Sequence, residues 1–304
     1  MEKGRIINLN GGVYKVMLND GTIVELKARG KLRATKVNEI NNKSISSKKE
    51  VQTVKLSPKV GDIVNISNDM IDSFEKRKNE LIRPDIANID QVLLVFSAKK
   101  PDFSYYLLDL FLTIIKAQNI DVIIVITKVD LIYINEFDEL KENMSYYEKL
   151  GYKVLYVDSL NKHGIENVQK VLKNKITILS GQTGAGKSTL INALIPEFNL
   201  QTQEISEALG RGKHTTREVT LYPYNNGFIG DTPGFSKLDV NLIEKNKVKD
   251  LFVDFKKYHC QFKDCNHTKE TKGCKVYEAY LNNEILKTRY ESYLKIITGN
   301  GDKK

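Results

Sequence analysis

At 304 residues the chain sits at the ~250–300-residue limit of a single hydrophobic core, so two or three domains are expected. Its 41% hydrophobic and 28% charged content is that of an ordinary globular protein, which excludes disordered and collagen-like classes. No apolar run approaches the ~20 residues that cross a bilayer, the start Met-Glu-Lys-Gly-Arg lacks the apolar centre of a secretory signal, and the net charge is +9; a cytoplasmic protein with no membrane contact is expected.

The first seventy residues read as short strands. Gly4–Leu18 and Thr22–Leu32 are β-rich and joined by a turn at Asn19-Asp20-Gly21, and Gly61–Ser67 resumes the pattern. The polar stretch Ala34–Glu50 between them is expected to be a mobile loop. From Lys27 to Lys59 ten basic residues face two acids, Glu39 and Glu50, a local charge of 10 − 2 = +8. Such an excess attracts polyanions such as RNA; a solvated lysine-rich surface gives the same count, and charge alone does not choose. Short strands, Gly turns and a basic face predict an OB-like RNA-binding barrel over residues 1–70, with Arg77 and Arg83-Pro84 marking the exit.

Strand and helix then alternate. Apolar runs at Asp90–Phe96, Asp121–Thr127, Lys153–Val157, Ile176–Leu179 and Phe228–Gly230 read as strands buried on both faces. Amphipathic stretches at Ser104–Gln118, Glu136–Leu150, Gly164–Leu172 and Gly186–Leu194 read as helices. The alternation predicts an α/β domain, residues 71–235, with a parallel sheet that binds its ligand at the carboxyl ends of the strands. Residues 236–304 read as a polar, mainly helical domain.

The motifs fall at those strand ends. Strand Ile176–Ser180 runs into Gly181-Gln182-Thr183-Gly184-Ala185-Gly186-Lys187-Ser188 and then a helix from Thr189, a G-x-x-x-x-G-K-[ST] loop in its confirming context. Ser180 through Thr189 are therefore predicted to hold the phosphates. Glycines turn backbone N–H groups inward, Lys187 meets the β and γ phosphates, and the Ser188 hydroxyl ligates Mg²⁺. The loop alone does not name the base.

Thr127-Lys128-Val129-Asp130 ends the strand Asp121–Ile126. A carboxylate at Asp130 accepts from guanine N1–H and the exocyclic amine, whereas adenine presents no donor at N1 and leaves it unpaired. The Lys128 stem can pack along the base, and Asp158-Ser159-Leu160 can offer a backbone N–H to the guanine oxygen. Asp231-Thr232-Pro233-Gly234 ends Phe228–Gly230; there Asp231 is expected to support Mg²⁺ through water and Gly234 N–H to sense the γ-phosphate. The base loop precedes the phosphate loop, the reverse of the usual order. Circular permutation is permissible because all these loops lie on one edge of the sheet.

These features resemble the RsgA family, the circularly permuted, small-ribosomal-subunit-dependent GTPases of bacteria, over essentially the whole chain. The resemblance rests on Arg83-Pro84 with Ala87-Asn88-Ile89-Asp90, Thr127–Asp130, Gly181–Ser188, Gly210-Arg211-Gly212-Lys213-His214-Thr215-Thr216, Asp231–Phe235 and a Cys260…Cys274 cluster. Thr127, where the family more often has Asn, and Asp158-Ser159, in place of Ser-Ala, depart from it. The family implies slow GTP hydrolysis stimulated by the small subunit during its late maturation, with rRNA contacts from the barrel and the C-terminal domain. Phe235 stands where many GTPases carry a water-orienting Gln, so His214, beside the Mg²⁺-contacting Thr215 and Thr216, is the candidate for positioning the attacking water; a plain polar loop residue is the competing reading.

All three cysteines fall in Cys260-x₄-Cys265-x-His267-x₆-Cys274. Three thiolates and an imidazole suit one tetrahedral Zn²⁺ with no open position, hence a structural ion, and the resemblance assigns zinc to the same four. Free buried cysteines are the alternative. The favoured reading is a GTPase with GTP/GDP, Mg²⁺ and small-subunit rRNA as ligands, expected to be monomeric. A nucleotide-regulated nucleic-acid-binding regulator and an ATP-dependent kinase or ATPase are the rivals, and Asp130 opposes the latter.

Overall fold

A computed structural model describes residues 2–33, 57–81, 84–196, 219–231 and 244–299. The expected loop at Ala34–Glu50, and Arg83, lie outside the described residues. Two compact units result: one holds the described residues up to Ile89 with 219–222, the other those from Asp90 to 196 with 223–299.

In the first unit, alternating apolar residues curl the chain into a barrel. Its strands are β1 (Glu2–Asn10), β2 (Val13–Leu18), β3 (Ile23–Ala28), β4 (Ile63–Ser67) and β5 (Met70–Phe74). They pair in the order β1-β2-β3-β5-β4, and β4 returns to β1, which closes the barrel. Only β3–β5 is parallel. Ile6, Val16, Val64 and Ile71 fill the interior at 0% exposure. Register shifts between Ile6 and Asn8 and between Asn65 and Ile66 supply the curvature that closure needs. The β-rich stretch Gly4–Leu18 forms two strands that meet in a turn at Gly11-Gly12. Opposite Asn8 stands Thr220 of β12 (Thr220–Tyr224), whose Oγ1 accepts from Asn8 Nδ2 at 2.9 Å. After the barrel, Arg77 pairs with the fully buried Asp62 at 2.8 Å and with Glu80 at 2.6 Å, beside a short ladder of β6 (Glu80–Leu81) and β7 (Ile86–Ala87).

The second unit is built on a parallel sheet. β8 (Gln91–Ser97), β9 (Asp121–Thr127), β10 (Lys153–Val157), β11 (Ile176–Gly181) and β13 (Gly227–Asp231) lie in the order β10-β9-β8-β11-β13. All seven residues of β8 and all six of β11 are buried, as central strands covered on both faces must be. The helices α1 (Tyr105–Ala117), α2 (Ile134–Lys149), α3 (Ile165–Leu172) and α4 (Lys187–Leu194) match the predicted stretches within two residues. Ser104, predicted as the start of α1, is its N-cap and accepts from Leu107 N at 3.3 Å. Leu93, Val125, Leu155, Leu179, Leu190 and Ile191 form one core between sheet and helices.

The C-terminal lobe belongs to this same unit. Its helices are α5 (Val248–Leu251), α6 (Lys275–Leu281) and α7 (Lys287–Thr298). Phe252, Phe255, Tyr290, Tyr293 and Ile296 form a core that includes Leu110 and Ile114 of α1, so α1 is buried nearly all round: one side meets the sheet and the other meets α7.

Candidate nucleotide site and metal centre

β11 delivers the phosphate loop. At its end Gly181 adopts φ +123, and a Cβ there would lie 2.0 Å from the Val95 carbonyl oxygen, so only glycine permits the loop to leave the sheet beside β8. Lys187 Nζ donates to the Gly181 and Gln182 carbonyls at 3.0 and 2.8 Å, so the loop curves around its own ammonium group. α4 begins at Lys187, with Gly186 as a left-handed N-cap.

β9 brings the base loop against it. Thr127 is 1% exposed, and its hydroxyl donates to the Ala185 carbonyl at 2.5 Å across 58 residues of chain. Lys128, at φ +56, donates to the Gly184 carbonyl at 2.8 Å and to the Lys100 carbonyl. The two loops are thus joined by direct hydrogen bonds. Thr127 uses a hydroxyl for this bridge, where resemblance leads one to expect an Asn. Asp130 lies in the 3₁₀ turn Val129–Leu131 and lines a cavity of about 220 Å³ together with Thr127, Lys128, Gly186 and Thr189.

The third wall follows β10. Asp158 is buried, and its carboxylate accepts from the Leu160 and Asn161 N–H groups at 3.1 Å each and from Asn161 Nδ2 at 2.6 Å. Burial works against that charge, but the bonds from Asn161 and Leu160 outweigh it and hold the carboxyl below its usual range. This Asx turn fixes Ser159 and Leu160 on the cavity wall. The Ser159 hydroxyl is buried and has no partner among the described residues.

A fourth segment was not singled out from the sequence. Residues 98–102, after β8, are fastened to the phosphate loop: Gln182 Nε2 donates to the Asp102 carbonyl at 3.4 Å, Ser97 Oγ to the Pro101 carbonyl at 2.6 Å, and Lys100 lines the cavity. Its signal was positional, a polar Lys-Lys-Pro-Asp leaving the carboxyl end of a buried strand in the same sheet. His214, Thr215, Thr216 and Gly234 lie outside the described residues. Asp231 ends β13, and its side chain is likewise outside them.

The metal cluster is assembled. Ligand atoms of Cys260, Cys265, His267 and Cys274 all lie within 4.8 Å of one another. Cys260 Sγ is 3.9 Å from Cys274 Sγ and 3.4 Å from His267 Nδ1, which is 3.8 Å from Cys274 Sγ. A tetrahedral ion with ~2.3 Å bonds to sulfur spaces its thiolates about 3.8 Å apart, close to the Cys260–Cys274 separation, so the four donors suit one zinc ion. Burial pushes the Cys274 thiol up to about 12, so as a thiolate it requires a cation beside it. Burial, then Lys249, holds His267 below its usual range, the neutral form a ligand must have. The loop is held from outside as well: Tyr290 and Tyr293 donate their hydroxyls to the His267 and Asn266 carbonyls at 2.7 Å each.

A parallel sheet whose base loop precedes its phosphate loop, with both lining one cavity, defines a circularly permuted P-loop GTPase. The family model described as RsgA GTPase matches residues 74–241. Small ribosomal subunit biogenesis GTPase RsgA of Phytoplasma australiense is 46% identical, over 96% of this chain and 94% of its own. The protein of the same name from Staphylococcus haemolyticus is 41% identical, over 97% and 96%. The crystal structure of YjeQ from Thermotoga maritima superposes with a TM-score of 0.80 at 31% identity, covering 100% of this chain and 99% of that one. YloQ, described as a circularly permuted GTPase, gives 0.76 at 31%, covering 99% and 96%. The chain belongs to the RsgA GTPase family. Among the described residues no helix is long and apolar enough to cross a membrane.

Proposed function

We propose that this chain hydrolyses GTP while bound to the small ribosomal subunit and assists its late maturation, as a cytoplasmic monomer without membrane contact. The observation that carries the nucleotide half is the pair of bonds from Thr127 to Ala185 and from Lys128 to Gly184, which gives a base reader and an anion cradle one shared cavity. The names of the relatives support the ribosomal half. Asp130 reads guanine, Lys128 flanks it, and Thr127 and Val129 set the loop; Ser180 to Thr189 hold the phosphates, with Lys187 as their cation. Ser188, Thr215, Thr216 and Asp231 are the residues that would hold Mg²⁺, which on binding neutralises phosphate charge; Gly234 senses the γ-phosphate. Zinc on Cys260, Cys265, His267 and Cys274 has a structural role. The working division is an rRNA-binding barrel over 1–70, the GTPase domain over 71–235 and the zinc domain over 236–304.

Purified small subunits are expected to raise the GTPase rate at least tenfold (~1.4 kcal/mol of barrier), and free RNA of equal mass is not. Equal stimulation by both points instead to a general nucleic-acid regulator. His214→Ala is expected to lower the stimulated rate by about 10²-fold, the scale of losing a positioned proton-transfer or water-orienting group, with GTP affinity unchanged. A full stimulated rate in the folded variant removes His214 from that role.

A further inference from the structure

The C-terminal lobe carries a second cavity, about 340 Å³, bounded by Lys245, Asn246, Lys249, Asn266 and Thr268, with Tyr293 and Ile297 completing its lining. Two cations, two amides and a hydroxyl surround it, and no carboxylate is among the residues that line it. Of the acids close by in sequence, Glu244 pairs with Lys247 at 2.9 Å, Glu270 bonds Thr268, and Asp250, next to Lys249, acts on Tyr293 and His267 without being part of the lining. Lys245 has no ion-pair partner among the described residues, and its ammonium lies beside Gly299, the left-handed C-cap of α7. The negative end of that helix steadies the ammonium without neutralising it.

The zinc loop builds the opposite wall. Asn266 and Thr268 flank His267, and Lys249 donates to the Cys265 carbonyl at 3.0 Å and the Lys263 carbonyl at 3.4 Å. Tyr293, whose hydroxyl fixes Asn266 through its carbonyl, forms a rigid side. A metal cluster that holds this loop therefore also fixes two of the cavity's polar groups.

We infer that this cavity is a phosphate-binding site and that its occupant is a backbone phosphate of RNA. Lysine, Asn and Thr side chains set around a concave surface whose lining carries two cations and no carboxylate are the groups that contact nucleic-acid phosphates. This rests on the reading that the chain acts on the small ribosomal subunit, and it names where the zinc lobe takes hold. Lys245 is the residue to change, because Lys249 also supports the zinc loop.

The test measures binding of the full-length, zinc-loaded protein to purified small subunits across a range of KCl concentrations, with a short oligouridylate as a second probe. Lys245→Ala is expected to weaken subunit binding about threefold to tenfold and to flatten the slope of log affinity against log salt by about 0.9, one phosphate contact. Lys245→Arg is expected to retain both. Zinc content and melting temperature, unchanged, show that the variant is folded. Unchanged affinity and slope on both probes overturn the site. Inorganic phosphate binding that depends on Lys245, with subunit and oligouridylate affinity no different between the wild type and Lys245→Ala, shows a free anion as the occupant and overturns the RNA assignment. A wild-type protein that binds oligouridylate with a Lys245-dependent slope but ignores subunits upholds the cavity and sinks the ribosomal reading instead.

Discussion

Arg289→Ala is expected to destabilise the second unit by about 3–5 kcal/mol, the range for breaking one side of a buried ion network. Arg289 is 1% exposed and lies between two carboxylates. It donates from Nη1 to Asp109 of α1 at 2.6 Å and from Nη2 to Asp254 at 3.1 Å, and its guanidinium carbon sits 4.1 Å from the centre of the Phe252 ring. Tyr147 and Tyr146 complete the shell, donating to Asp109 at 2.9 Å and to Asp254 at 3.0 Å. Burial pushes the Asp109 carboxyl up, and Arg289 pulls it back. Without the arginine, the Asp109 carboxyl of the folded protein rises further above its unfolded value. The folded state then holds more protons than the unfolded one between about pH 4 and that raised value, so the variant loses stability as pH rises through that window. Chemical denaturation should accordingly show a smaller deficit at pH 5 than at pH 8. Replacing Arg289, Asp109 and Asp254 together by apolar residues of similar volume should recover most of the loss. A deficit under 1 kcal/mol, flat with pH, would mean that the network is not closed as described.

The consequence reaches the nucleotide site through α1. The helix that Arg289 holds starts at Ser104, two residues beyond Asp102, whose carbonyl accepts from the phosphate-loop Gln182. The zinc lobe is therefore anchored to the element that leads out of the loop beside the phosphates.

How much of this was legible depended on the range of the interaction. β9 was readable to the residue because an apolar run with a polar strand end is a local pattern, and Ser104 was readable because capping is decided within one turn. β5 escaped because its entry, Asn68-Asp69 at φ +51 and +53, is a tight turn without the usual Gly, and the strand behind it is only half-buried. The turn at Gly11-Gly12 lies inside a β-rich stretch and is marked only by its pair of glycines. Asp109 left one trace, an acid inside Tyr-Tyr-Leu-Leu-Asp-Leu-Phe-Leu. Its partner stands 180 residues away, and no periodicity links them. The convergence of Thr127–Asp130 with Gly181–Ser188 could be argued from sheet edges, but the segment 98–102 that completes the wall has no motif of its own. Spacing around Cys260–Cys274 showed the donors, and folding showed that their ligand atoms gather within 4.8 Å of one another.

Asp130→Asn is expected to turn the base preference from guanine toward xanthine. Guanine offers two donors, N1–H and the exocyclic amine; a carboxylate, acceptor-only when ionised, takes both. Asn keeps one acceptor and presents a donor to the amine, so two charge-assisted bonds of about 1.5–3 kcal/mol each are lost. GTP affinity should then fall about 10²- to 10⁴-fold, by the factor of ten per ~1.4 kcal/mol. Xanthine keeps N1–H and carries an oxygen where guanine has the amine, so the amide of Asn meets it with one donor and one acceptor. Because Asp130 lies on the cavity wall in a short turn whose Leu131 N–H is bonded to the Lys128 carbonyl at 3.1 Å, an isosteric change should leave the loop in place. Calorimetric titration of wild type and variant with GTP, xanthosine triphosphate and ATP gives the answer directly. A variant that binds GTP within threefold of the wild type and xanthosine triphosphate no better would show that Asp130 does not face the base, and the cavity would need another reader. If both guanine and xanthine nucleotides are lost while Thr127 and Lys128 still bridge the loops, the side chain supports the fold of the site rather than selecting its ligand.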